Sequence, residues 1–190
     1  MALFTFGEII SLIITALVVA YIFTGIYRPR IVSIEDYYKR SRWKVDKEDF
    51  LFALYVAGPA VILHELLHKF VALAFGLNAQ FFISPFGLGL GLLLKIIGSP
   101  FIIVAPGYVG ISSLGNPLHT FLIALAGPLT NAVLWLIAYL VLKNKQVMPR
   151  KEAIFWNLTK IVNQWLFIFN MIPIPPLDGS KVLLGLIGLF

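Results

Sequence analysis

His64, Glu65 and His68 stand close together in VAGPAVILHELLHKFVALAFG (residues 56–76), a run that otherwise reads as a membrane-spanning helix. At about 100° per residue, His64 and His68 lie about 40° apart, one turn on, and Glu65 lies about 60° beyond His68. One helix face therefore carries two imidazoles and a carboxylate, the H-E-x-x-H arrangement. Two ring nitrogens can reach one zinc ion, and the glutamate, beside the ligands but not one of them, can accept a proton from a water that the ion activates. The competing reading is a buried, hydrogen-bonded trio with no chemistry. An ionisable group at mid-bilayer costs about 2.5–3.5 kcal/mol, so an idle cluster of three would be expensive. Two of the three histidines in the chain fall in this motif, which weakens chance further.

A hydrolytic zinc wants a third protein ligand and an open position for water. The chain has no cysteine, so thiolates and disulfides are excluded. Of nine acidic residues, five lie in the polar stretch 28–50, Glu8 and Glu152 lie near the ends of apolar runs, and Glu65 is already used. Asp178 remains, in FNMIPIPPLDGSKV (169–182), where Pro173, Pro175 and Pro176 end or unwind a helix in an apolar context. Broken backbone at membrane depth is tolerated where protein or a watery cavity satisfies it, so the prolines mark a cavity and Asp178 is the expected third ligand. Its bland alternative is a helix N-cap.

The elements that must position these residues are apolar. The chain has 190 residues, 59% hydrophobic and 13% charged, with mean hydropathy +0.91. This composition predicts an all-α polytopic membrane protein with spans at 6–27, 51–75, 118–142 and 154–172. The first run lacks a basic leader region and is expected to be a retained anchor. A further apolar region, 86–109, is interrupted by glycines and prolines and is expected to be a re-entrant or hairpin segment. Just before it, LNAQFFISPFG (77–87) predicts a short strand. The closing stretch SKVLLGLIGLF is too short to span. The net charge of +6 comes mainly from loops beside the apolar runs, which points to lipid headgroups and topology rather than to nucleic acid.

Three segments together resemble the site-2 proteases, intramembrane zinc metalloproteases. HELLH is similar to their zinc helix, AGPLTNAVL (126–134) to the signature of the next core span, and NMIPIPPLDG (170–179) to their Asn-x-x-Pro-x-Pro-x-x-Asp-Gly element. The resemblance covers about 51–181. It implies one membrane-embedded domain over 1–190, with a polar connector at 28–50, a β or re-entrant region at 77–113 and a broken-helix Asp-Gly element at 170–182. It implies one zinc per chain on His64, His68 and Asp178, Glu65 as general acid and base, and Asn170 and Asn131 lining the site. The expected substrate is a transmembrane protein cut within the lipid bilayer.

The stretch 86–113 is longer than a simple re-entrant loop, and no PDZ-like insertion or gating helix is recognisable in the sequence. The resemblance places the connector outside the cell, whereas its seven Lys/Arg would place it in the cytoplasm. We take the orientation that the resemblance implies.

Smaller expectations complete the reading. Asn131 either meets a substrate carbonyl or bonds an adjacent helix. His119 is expected at the interface, Lys69 and Lys181 to snorkel, and the ribbon 79–85 to hold an unwound substrate by strand addition. The rival functions are a membrane metal transporter and a catalytically idle homologue that binds membrane helices.

Overall fold

A computed structural model describes residues 3–25, 46–99, 105–112, 116–145 and 147–190. Its described elements are α1 (Phe6–Ile22), α2 (Lys47–Ala74), β1 (Ala79–Ile83), α3 (Pro85–Ile97), β2 (Gly107–Ile111), α4 (Pro117–Asn144), α5 (Arg150–Asn170) and α6 (Asp178–Ile187). Most of the connector expected at 28–50 lies outside the described residues; its end supplies Asp46, which caps α2 by accepting from the Glu48 N–H at 3.1 Å.

Local sequence accounts for where the elements begin. Thr5 and Glu8 form a capping box on α1. Ser84 caps α3 and Asn116 caps α4, each followed by a proline at the first helical position, where the missing N–H costs nothing. α3 ends at Gly98, whose φ of 71° is the left-handed conformation that closes a helix.

Two helices, α2 and α4, are long and apolar enough to cross a membrane. The other two expected spans fall short for different reasons. α1 has 17 residues, about 26 Å of helix against about 30 Å of hydrocarbon. α5 has 21 residues, but Asn157, Lys160, Asn163 and Gln164 interrupt its apolar character.

The region expected to be a re-entrant or hairpin segment forms, with the strand before it, a β-hairpin whose connection contains a helix. β1 pairs antiparallel with β2, Ala79 opposite Ile111 through Ile83 opposite Gly107, and α3 lies between them in sequence. Ser84 N–H bonds Pro106 O and Ser112 N–H bonds Asn78 O, each at 3.0 Å. The even-numbered positions 78–84 of the first strand thus face the partner, and Ala79, Phe81 and Ile83 turn their backbone groups outward.

α4 packs against α2, α5 and α6, while α1 packs on α2 and carries β1 beside it. Val19 and Ile22 of α1, Ala57 and Val61 of α2, and Leu88 of α3 form a continuous buried cluster. Polar contacts fasten the same three helices: Gly25 N–H donates to Asp49 Oδ2 at 2.5 Å, and Lys95 Nζ donates to Thr24 O.

The expectation that Lys69 snorkels is overturned. Its side chain is 2% exposed and its Nζ lies 2.5 Å from Glu8 Oε1, a partner that is itself 1% exposed. The same oxygen accepts the outward Phe81 N–H at 2.8 Å, and Nζ sits 4.4 Å from the centre of the Phe4 ring. With a carboxylate and an aromatic face in reach, the ammonium has no need of the interface. Lys181, by contrast, is exposed. His119 is half-buried at the start of α4 and stacks on Phe75, ring centres 4.1 Å apart.

Candidate metal centre

The helical spacing does what the sequence requires of it: His64 and His68 point from α2 to one place, both buried. Asp178 arrives from the other end of the chain as the first residue of α6. Its Oδ2 lies 3.0 Å from His64 Nε2 and 3.1 Å from His68 Nε2, and the two nitrogens are 3.1 Å apart. Asp178 is not the cap of its helix; Leu177 holds that position, with no side-chain capping bond. Gly179 allows the approach. A Cβ there would lie 2.5 Å from Ile172 O and from Met171 O, so only glycine lets α6 start this close to the end of α5.

The outer nitrogens fix the protons. His68 Nδ1 faces the Ile123 carbonyl at 2.6 Å, and a carbonyl only accepts, so Nδ1 carries the proton and Nε2 a bare lone pair. His64 Nδ1 faces Asn131 Oδ1 at 2.6 Å. Asn131 Nδ2 donates to Ala60 O and to Asn163 Oδ1, each at 2.9 Å, which leaves its Oδ1 for His64 and makes that Nδ1 a donor too. With both rings neutral, two lone pairs and a carboxylate oxygen converge with no proton between them, an arrangement that a cation would resolve.

The donor set fits one zinc ion. Tetrahedral bonds of about 2.0–2.1 Å hold ligand atoms about 3.3 Å apart, close to the separations of 3.0 and 3.1 Å found here. Gly127 of α4 lies against the same point: a Cβ there would sit 2.2 Å from His68 Nε2 and 2.6 Å from His64 Nε2, in the space the ring nitrogens face. Among the described residues, His64, His68 and Asp178 are the group of metal-ligating side chains close enough to share an ion.

Glu65 is buried beside the three ligands, within electrostatic reach of each and of Lys181. Asn131 is 0% exposed with both amide N–H groups committed to protein. Of its two expected partners, the structure supplies the neighbouring helices, and the geometry leaves no N–H for a substrate. Asn170 is half-buried at the end of α5 and donates to Leu166 O at 3.0 Å; no hydrogen bond among the described residues joins it to the ligands. Sequence reasoning passed over Asn163 and read Gly127 only as a small residue that permits close helix approach. Gly127 stood inside AGPLTNAVL, and Asn163 carried no distinct signal, being one of several polar residues of α5 beside Asn157, Lys160 and Gln164.

No protein-family model matches the chain. No solved structure matches it. Among curated proteins, it is 35% identical over 189 residues to "Putative zinc metalloprotease MJ0611" of Methanocaldococcus jannaschii, covering 96% of this chain and 87% of that one. It is 31% identical over 145 residues to "Putative zinc metalloprotease YwhC" of Bacillus subtilis, covering 66% and 64%. A third relative, "Putative zinc metalloprotease sll0528" of Synechocystis, is 29% identical over 132 residues, covering 67% of this chain and 29% of its own. With the first of these likenesses extending through nearly the whole chain and the ligand set in place, the chain belongs to this family of zinc metalloproteases.

Proposed function

We propose that the chain is an intramembrane zinc metalloprotease of the site-2 type, hydrolysing peptide bonds within or near the transmembrane helices of membrane proteins. The carrying observation is that a His-His-Asp group, its histidines and the adjacent Glu65 buried and its Asp178 half-buried, lies where α2 packs against α4, two helices long and apolar enough to cross a bilayer. His64, His68 and Asp178 would hold a zinc ion, which when bound would supply Lewis acidity at the scissile carbonyl and lower the pKa of water toward neutrality. Glu65 takes the proton of the attacking water as the C–O bond forms, and delivers it to the amine as the C–N bond breaks. Asn170, to which the resemblance gives a place at the site, would support a developing oxyanion only by exchanging its bond to Leu166 O for one to substrate.

A substrate helix hides its carbonyls in its own hydrogen bonds, so it must unwind to be cut. Strand addition along β1, the edge expected from sequence, conflicts with Glu8, which already occupies the outward Phe81 N–H. The outward groups of β2 at Gly107, Val109 and Ile111 make no backbone hydrogen bond among the described residues, so β2 is the edge we assign to the unwound segment.

The test is cleavage of single-span peptides co-reconstituted with the protein in liposomes, with zinc content measured in parallel. We expect cuts inside the apolar segment, loss of cleavage in Glu65→Gln with about one zinc per chain retained, and recovery by zinc after chelation. Cleavage that survives Glu65→Gln removes the role given to Glu65. Cleavage confined to soluble polypeptides removes the intramembrane reading and leaves the family.

A further inference from the structure

We infer that Asn163, on α5 and outside every motif of the site, is a positioning residue for the metal centre, acting through Asn131 on His64. Asn163 is 1% exposed, and a buried amide is costly unless its groups are matched. Its Nδ2 donates to Thr159 O at 2.8 Å, so its Oδ1 must turn toward α4, where it accepts from Asn131 Nδ2 at 2.9 Å. Asn131 is thereby held by two acceptors, Asn163 and the Ala60 carbonyl of α2, and offers its own Oδ1 to His64 Nδ1 at 2.6 Å.

Each link has only one workable polarity. A carbonyl on α5 sets one amide, that amide helps set a second on α4, and the second decides which nitrogen of His64 bears the proton. Without Asn163, the Asn131 amide is held against reversal by Ala60 O alone. Reversed, it would donate to Nδ1 and put the His64 proton on Nε2, where it blocks the metal. Outer partners of metal-bound histidines typically alter affinity by about 10–100-fold.

The experiment measures zinc affinity by chelator competition, and the visible absorption of the Co²⁺-substituted protein, for the full chain in detergent. It compares wild type, Asn163→Leu, Asn131→Ala and the double variant. We expect Asn163→Leu to weaken zinc binding, by less than the ~10–100-fold expected of Asn131→Ala, and to alter the Co²⁺ absorption. We also expect it to add almost nothing once Asn131→Ala is present, because both act on one proton. Asn163→Ser, smaller and still polar but too short to reach Asn131, makes the same comparison where Asn163→Leu fails to fold. Wild-type affinity and absorption in either Asn163 variant, or losses that simply add to those of Asn131→Ala, would overturn the relay. A wild type that takes no zinc would overturn the metalloprotease reading, and the relay with it.

Discussion

A methyl group at Gly127 would land 2.2 Å from a ligand nitrogen, closer than any non-bonded contact, so this residue tests the centre most directly. Gly127→Ala must push the imidazoles or α4 aside, and such overpacking costs about 1–3 kcal/mol. We expect a lower unfolding midpoint and a loss of most bound zinc, both measurable on purified protein; full zinc content in Gly127→Ala would mean the ion does not sit where the three donors converge. Asp178→Asn removes the charged ligand without changing its size and should deplete zinc while leaving the fold intact. At this scale the sequence was most legible where chemistry is local. His64, Glu65 and His68 are set by spacing on one helix, and Asp178 could be isolated because the chain has so few acids. The partners of Asn131 were not legible, because Ala60 lies 71 residues and Asn163 32 residues away.

Among the elements, the junction of α1, α2 and β1 turns on one buried ion pair. Glu8 Oε1 holds both Lys69 Nζ and the Phe81 N–H, so a single carboxylate fixes the strand against the helix that carries the zinc ligands. Glu8→Gln leaves the Lys69 charge buried without its counter-ion, and breaking such a pair from one side costs about 3–5 kcal/mol. The unfolding midpoint should fall accordingly, and hydrogen exchange at the Phe81 amide should quicken. Replacing both partners, Glu8→Met with Lys69→Met, should restore much of the stability but not the protection of Phe81. If Glu8→Gln proves neutral in both measurements, the pair does not hold the junction. β1 itself was readable from its run of β-formers before a proline. Its pairing with β2 was not, because Gly87, Gly89 and Gly91 suggest broken backbone, whereas the Ser84 cap, Pro85 and the Gly98 stop bound a regular helix there. The Glu8 contact was equally hidden, since 61 residues separate it from Lys69.

For the molecule as a whole, the apolar composition pointed to the membrane, and two helices long and apolar enough to cross one are consistent with that, whereas the other expected spans depended on details that composition averages away. α2 and α4 each have 28 residues, about 42 Å of helix, enough to cross about 30 Å of hydrocarbon with tilt. Between them runs a groove lined by Leu63, Leu67, Val71, Leu122, Leu125 and Leu129, apolar surface of a kind that water penalises and lipid accepts. His64 lies 17 residues from the start of α2 and 10 from its end, which places the centre about 26 Å and 15 Å from the two helix termini. A metal so placed should be hard to reach from bulk water. We therefore expect the protein to stay in the membrane pellet after alkaline carbonate and to leave it only with detergent. We also expect its activity in intact vesicles to be lost much faster to an apolar chelator such as 1,10-phenanthroline than to charged EDTA. Equal rates for the two chelators would mean an aqueous path to the ligands and a centre near the surface, and release by carbonate would argue against α2 and α4 as spans.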